Sequence, residues 1–298
     1  SSSMVTDSSK AGRNSPSSPK TDLQRANDSF DPAETSQGPQ PFSIAIPSRS
    51  ISAISPARAG ISSRSSRQTR WTFAAPARLA GEVLLVHETM DQNKEHRRAW
   101  IYNPGQRRVR RAPNVAFDNP RTASDGQATS DQFDLFNGSP ERYNWKIVGK
   151  KEILVPYNSY KLHSNKLKYT DILTPLHFNP EHVRYELHRM WVIDSVLKEG
   201  TRHVYKRRTF YMDEDSWQTL IVDCYDNRDE LWRVQEGYGL NYYDIPNMWT
   251  TAETTIDLQS GRYLAIGMNN EEPITYDFDV KLSLKDFSPG SLRRSGVR

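Results

Sequence analysis

Tyr185-Glu-Leu-His-Arg-Met-Trp-Val-Ile-Asp194 decides the fold class, because its apolar residues recur at every second position. Tyr185, Leu187, Trp191 and Ile193 fall on one face of an extended chain, with Arg189 interrupting that face. Runs of the same texture surround it. Gly81–Glu88, Ala99–Tyr102, Arg107–Arg111, Trp145–Val155, His203–Tyr211, Trp217–Tyr225, Leu231–Tyr242, Thr251–Leu258, Arg262–Met268 and Tyr276–Leu284 all read as strands. Turn residues punctuate them. Asn103-Pro-Gly-Gln106 predicts a type II hairpin turn, Asp226-Asn-Arg-Asp229 another turn, and Gly149 a bend or bulge within its strand.

Helical signals are short. Ser130–Gly138 carries a serine cap and a closing glycine, as a brief helix would, and Asp171–Leu176 reads as one helical turn stopped by Pro175. Many strands without a strand–helix–strand rhythm predict a mainly β protein built on a large antiparallel sheet.

Composition divides the chain at residue 71. Residues 1–70 hold 19 Ser and 7 Pro, only two aromatics (Phe30 and Phe42), and 9 Lys+Arg against 5 Asp+Glu. So little apolar surface cannot offset the entropy of ordering a backbone, and the segment reads as a disordered tail. All seven tryptophans lie at or beyond Trp71, and residues 71–298 carry 31 charges of each sign. The whole-chain net charge of +4 therefore resides in the tail.

Several classes are excluded. No apolar run approaches the roughly 20 residues of a membrane-spanning helix. Cys224, the single cysteine, can form neither an intrachain disulfide nor a cysteine zinc site. Nucleophile-elbow, phosphate-loop, zinc-protease and dinucleotide motifs are absent. Ser195-Val-Leu-Lys198 matches a catalytic Ser-x-x-Lys pattern too short to carry weight.

His177, His182 and His188, with Glu181 or Glu186, are metal-ligating residue types, but spacings of 5 and 6 residues match neither a helix face nor a strand face, so surface or hydrogen-bonded histidines are preferred; the His and Glu side chains of 181–188 give the hydrolase alternative. Asp213-Glu-Asp215 and Asp226–Glu230 lack the spacing of a calcium loop and read as solvated turns. Arg107-Arg-Val-Arg-Arg111, with Arg97, Arg98, Trp100 and Tyr102 nearby, gives the nucleic-acid alternative. A domain of zero net charge argues against it, and a solvated or headgroup-facing strand is preferred.

Longer stretches carry a resemblance. Ala77-Arg-Leu-Ala-Gly-Glu-Val-Leu-Leu-Val-His-Glu88, Arg98-Ala-Trp-Ile-Tyr-Asn-Pro-Gly-Gln-Arg-Arg-Val-Arg-Arg-Ala-Pro113, Ser130-Asp-Gln-Phe-Asp134, Arg184–Arg189, Arg208–Trp217 and Asn270-Glu-Glu-Pro273 resemble a Gram-negative family of unknown function. Its members are called outer-membrane lipoprotein-sorting proteins. The resemblance, spanning residues 72–298, implies a fold like the periplasmic lipoprotein carriers: an antiparallel sheet curled into a half-barrel, with short helices closing an apolar concavity. It implies no reaction, catalytic residue, metal or cofactor.

The expected function is non-enzymatic binding of a lipid or lipidated segment, with an efflux-type exporter and an outer-membrane protein as partners and no nucleic acid. Tyr185, Leu187, Trp191, Ile193, Trp217 and Ile221 are the residues expected to line the concavity. The family resides in the periplasm. Ser1-Ser-Ser-Met-Val-Thr-Asp7 lacks the basic and apolar regions of a signal peptide, so the chain as given is expected in the cytoplasm. The resemblance implies that full members are longer, so residues 71–298 are expected to be a truncated sheet and residues 1–70 to come from a shifted reading frame or an unrelated start.

Overall fold

The computed structural model describes residues 4–5, 43–45, 48–55, 66–73, 81–89, 91–112, 115, 117–122, 124–245, 247–272 and 283–295. Strands dominate: β1 (Met4–Val5), β2 (Ser43–Ala45), β3 (Ser48–Ser55), β4 (Ser66–Phe73), β5 (Val83–Thr89), β6 (Arg98–Asn103), β7 (Arg108–Ala112), β8 (Tyr143–Pro156), β9 (Tyr185–Leu197), β10 (Arg207–Asp213), β11 (Thr219–Tyr225), β12 (Leu231–Tyr242), β13 (Asn247–Asp257) and β14 (Tyr263–Ile266). They fall into two units.

The first unit takes residues 1–18, 47–119 and 272–298, and its sheet runs β1-β3-β4-β5-β6-β7, antiparallel throughout. Alternation in β5 buries Val83 and Leu85, which pack with Tyr102 of β6 beneath Phe287 and Leu292. Leu292 opens a short helix, α2 (Leu292–Ser295), reached through 3₁₀ turns at Leu284–Phe287 and Pro289–Ser291. His87 Nε2 donates to Phe287 O at 2.7 Å, and Arg70 Nη1 to Asp286 O at 3.2 Å, pinning these turns to the sheet.

The second unit, residues 19–46 and 120–271, holds the long runs of the sequence. Its sheet runs β2-β14-β13-β12-β11-β10-β9-β8, in which β8 to β14 form an antiparallel meander and β2 adds in parallel to β14. Register shifts at Ile147/Gly149, Tyr211/Met212, Cys224/Tyr225 and Tyr238/Gly239 insert bulges, each increasing local twist. The sheet stays open and curls. Ser159, just past β8, donates its N–H to Gly239 O of β12 at 3.0 Å. A side chain at 239 would meet Met248 Cε at 2.4 Å and Leu220 Cδ2 at 3.1 Å, so the flexible methionine would have to turn aside to admit one.

Three local expectations are corrected. Ser130–Gly138 is a series of turns, with Asp134 and Leu135 both left-handed at φ 54° and 61°. Its helix signal yields to side-chain ties described below. The β6–β7 hairpin closes through a four-residue loop, with Asn103 Oδ1 accepting from Gln106 N at 2.9 Å and Arg107, not Gly105, left-handed at φ 51°. Residues 48–55 and 66–73, on or across the tail side of the boundary at 71, are strands: a Ser- and Arg-rich chain pairs when neighbouring strands supply its hydrogen bonds. The rest of residues 1–70, apart from β1 and β2, lies outside the described residues, as does most of the strand expected at Tyr276–Leu284. A single helical turn, α1 (Tyr169–Ile172), stands two residues before its expected start.

Cys224 is fully buried on β11, where Gln235 Nε2 donates to its Sγ at 3.0 Å. Burial pushes the thiol up to about 12. The folded protein is therefore expected to show no thiol reacting rapidly with an aromatic disulfide reagent at pH 8, and one in denaturant.

Candidate functional site

Each face of the β8–β14 sheet is covered by a different connection. On one face, Ile193, Phe210, Val222 and Gln235 stand in register across four strands. There Leu135, Tyr205, Phe210, Val222 and Cys224 form a core with Phe136, Ile193 and Trp232, so the segment before β8 is the cover. On the opposite face, Val155, Met190 and Leu220 pack with Tyr157, Tyr211, Ile221 and Met248. The crossover at 157–184 continues that layer, setting Leu162, Ile172 and Phe178 on Tyr238, Ala252, Tyr263 and Ala265.

A buried charge knot fastens the first cover. Arg208 of β10 has no solvent exposure, and its Nη1 donates to Asp131 Oδ2 at 3.0 Å. Tyr143, Phe136, Phe210 and Tyr205 ring the guanidinium with centroids 4.6, 4.9, 5.6 and 5.9 Å away. His203 Nδ1 accepts from Tyr205 N, which leaves its Nε2 proton to donate to the same Asp131 oxygen at 3.1 Å. Thr129 Oγ1 donates to Asp131 Oδ1 at 2.5 Å. Burial alone would raise the Asp131 carboxyl, but Arg208 and the hydrogen bonds outweigh it and hold the group well below the usual carboxylate range. A second pair sits beside it: Arg233 Nε donates to Asp257 Oδ2 at 3.0 Å, and Nη1 to Gln127 O and the Tyr205 hydroxyl.

The six residues expected to line a concavity are distributed as follows. Tyr185, Leu187, Trp191 and Ile193 alternate along β9 against buried Met190 and Val192, becoming more enclosed toward Ile193. Tyr185, 45% exposed, donates its hydroxyl to Glu236 Oε1 at 2.9 Å. Leu187 is 63% exposed opposite Leu154 of β8, itself 62% exposed. Lys150 Nζ lies 4.4 Å from the centroid of the half-buried Trp191 ring. Trp217 is 65% exposed in the β10–β11 turn at the same end of the sheet, with left-handed φ of 59°. Ile221, however, pairs with Tyr211 while Ile193 pairs with Phe210, so these two isoleucines lie on opposite faces. The six therefore do not share one surface.

Of the titratable cluster only His188 and Glu186 come together, joined by a partner that spacing could not supply. His188 Nδ1 lies 3.2 Å from Asp213 Oδ1, its Nε2 3.5 Å from Glu186 Oε2, and its ring stacks on Tyr157 at 3.8 Å. Asp213 also accepts from Ser216 N at 2.9 Å and Ser216 Oγ at 2.6 Å. Both imidazole nitrogens thus face carboxylates, Asp213 more closely than Glu186. Glu181 and His182 lie on a separate 3₁₀ turn, and His177 Nδ1 donates to Phe178 O at 2.7 Å. Ser195, of the Ser-x-x-Lys pattern, is buried and donates to Arg208 O.

An open, largely antiparallel sheet, bent by bulges and padded on both faces by its connections, defines a mainly β fold of half-barrel form. The chain belongs to the family described as "Protein of unknown function (DUF1329)", whose model matches residues 49–293. The match begins upstream of Thr72 and takes in β3 and β4. The chain is 57% identical over 224 residues to the uncharacterized protein PA3922 of Pseudomonas aeruginosa, covering 75% of this chain and 49% of the relative. It spans about half the length of that relative. A crystal structure from Vibrio parahaemolyticus, described as an outer membrane lipoprotein-sorting protein domain, aligns over 83% of both chains with a TM-score of 0.53 and 16% identity. A DUF1329 family protein from Desulfovibrio piger aligns over 82% of both with a TM-score of 0.49 and 15% identity.

Proposed function

We propose that this chain is a non-enzymatic envelope protein of periplasmic type that holds a lipid, or the acyl chain of a lipidated segment, against the second unit's sheet, and that it works with an exporter system and an outer-membrane protein. The observation that carries this reading is the Leu154–Leu187 pair. Two directly opposed leucines, each more than 60% exposed, stand beside Tyr185 on the β8–β9 end of the sheet, where Ile147 and Val148 of β8 are exposed as well. Exposed apolar patches on soluble folds mark binding surfaces. Each methylene buried there contributes about 0.8 kcal/mol, so a long acyl chain needs no charged partner. The likeness to a lipoprotein-sorting fold supports the same chemistry.

Native mass spectrometry of the full chain before and after organic extraction is the test. A stoichiometric lipid mass removed by extraction is expected, and a lipid-free, folded, monodisperse sample contradicts the reading. Leu187→Asp is expected to abolish the adduct. Trp217→Asn is expected to weaken it while leaving thermal stability unchanged or higher, because asparagine tolerates the left-handed conformation better than tryptophan, which there costs roughly 1–2 kcal/mol. Opposite signs for retention and stability separate a binding role from a structural one.

A further inference from the structure

The first unit carries a charge asymmetry that the whole-chain figure conceals. Residues 47–119 and 272–298 contain 18 Lys+Arg against 9 Asp+Glu, whereas residues 120–271 contain 18 against 22. The excess is concentrated at one edge. β7 is the terminal strand of its sheet, and Arg108, Arg110 and Arg111 on it are exposed, as is Arg107 in the preceding loop. The helix α2 packs next to β7 and exposes Arg293.

Three other arginines of this unit are engaged: Arg97 pairs with Glu88, Arg98 with Glu95, and Arg70 donates to Asp286 O. Among the described residues, no carboxylate pairs with Arg107, Arg108, Arg110, Arg111 or Arg293. Strand alternation sends Arg108 and Arg110 to one face and Arg111 to the other. On an edge strand, side chains of this length from both faces are long enough to reach past the rim and present their guanidinium heads along one edge.

We infer that this edge, Arg107 to Arg111 with Arg293, docks the protein on a bilayer surface bearing anionic phospholipid headgroups. Charge complementarity points to phosphate. A flat, repeating array of phosphates suits a band of fork-shaped donors that no acid among the described residues engages. The alternatives fit less well. Single-stranded nucleic acid needs free rings for base stacking, yet Trp100 packs edge-on against His87 at 4.7 Å and Tyr102 is buried. A second copy pairing along β7 would bring like charges together. The inference does not depend on the β8–β14 sheet holding a lipid.

The test is flotation of the full chain with vesicles of phosphatidylcholine alone and of phosphatidylcholine containing phosphatidylglycerol. Binding is expected only to the anionic vesicles and is expected to disappear at high salt. Each arginine at such a surface multiplies partitioning by about fivefold. The Arg107→Gln, Arg108→Gln, Arg110→Gln, Arg111→Gln quadruple variant should therefore lose well over tenfold, with circular dichroism and melting temperature unchanged. Arg110→Gln with Arg111→Gln should lose an intermediate amount, and provides the test if the quadruple variant does not fold. Lys150→Gln with Lys151→Gln, on the other unit, should bind as the parent does. Equal binding to both vesicle types, retention by the arginine variants, or tighter binding to an oligonucleotide than to anionic vesicles would overturn the inference.

Discussion

Asp131→Asn is expected to lower unfolding free energy by about 3–5 kcal/mol, the range for removing one partner of a buried ion pair. The cost arises from what remains. Arg208 is fully buried, and without a charged partner its guanidinium would be held only by rings 4.6–5.9 Å away. Asparagine keeps the volume and one acceptor, so the loss reads the charge and not a cavity. Equilibrium urea unfolding of both proteins at neutral pH measures it. The same carboxyl imposes an acid dependence whose sign follows from its depressed value in the fold. Unfolded, an aspartate titrates at roughly 3.9. The pair's contribution is therefore complete above about pH 4 and is lost progressively as pH falls below that, because the unfolded chain takes up the proton first. Asp131→Asn should flatten this part of the stability profile. A variant as stable as the parent, with the same acid slope, would show that the pair contributes nothing.

Phe178→Ala is the second large effect, expected at about 3–5 kcal/mol for a buried aromatic ring. Phe178 is 3% exposed, 5.0 Å from the Tyr238 ring and 6.1 Å from the Tyr263 ring, and anchors the crossover at 157–184 on β12 and β14. The crossover has few other anchors of that size. The variant should accordingly show amide exchange rising at 157–184 before it rises in the strands themselves, as expected for a locally opening segment. Uniform acceleration throughout the second unit would mean that crossover and sheet unfold as one.

Most strands were legible because period-two alternation and turn residues are local properties. The bounds read for β12 stand unchanged, β9 runs three residues further than expected, β11 starts two residues later, and β10 starts four residues later and ends two later. What misled was non-local. Ser130–Gly138 has the composition of a short helix, but Asp131 bonds to residues 72 and 77 positions away, and those ties outweigh a few residues of helix propensity. β3 and β4 have a tail's composition and are strands only because β5 pairs with β4. In the candidate site, Leu187 and Trp217 could be picked out as apolar residues in polar surroundings. Which face each occupies could not be read, since Ile193 and Ile221 are related through a pairing register that the sequence does not print. Asp213 was missed as the His188 partner for the same reason. Arg208 left no trace, because it closes the basic run Lys206-Arg207-Arg208 and looks like its neighbours until the pairing register buries it.

The meander has a kinetic consequence. Every strand from β9 to β14 pairs with its predecessor across a connection of nine residues or fewer, except β9 itself, which waits for the crossover at 157–184. Closing short loops sacrifices little chain entropy, so hairpins β9–β10 through β13–β14 can zip in succession while β8 joins later. The parallel pairing of β2 with β14 is of another kind, because it must close a loop of more than two hundred residues. Assembly is thus ordered from the middle of the meander outward, and its two outermost strands are the last to arrive.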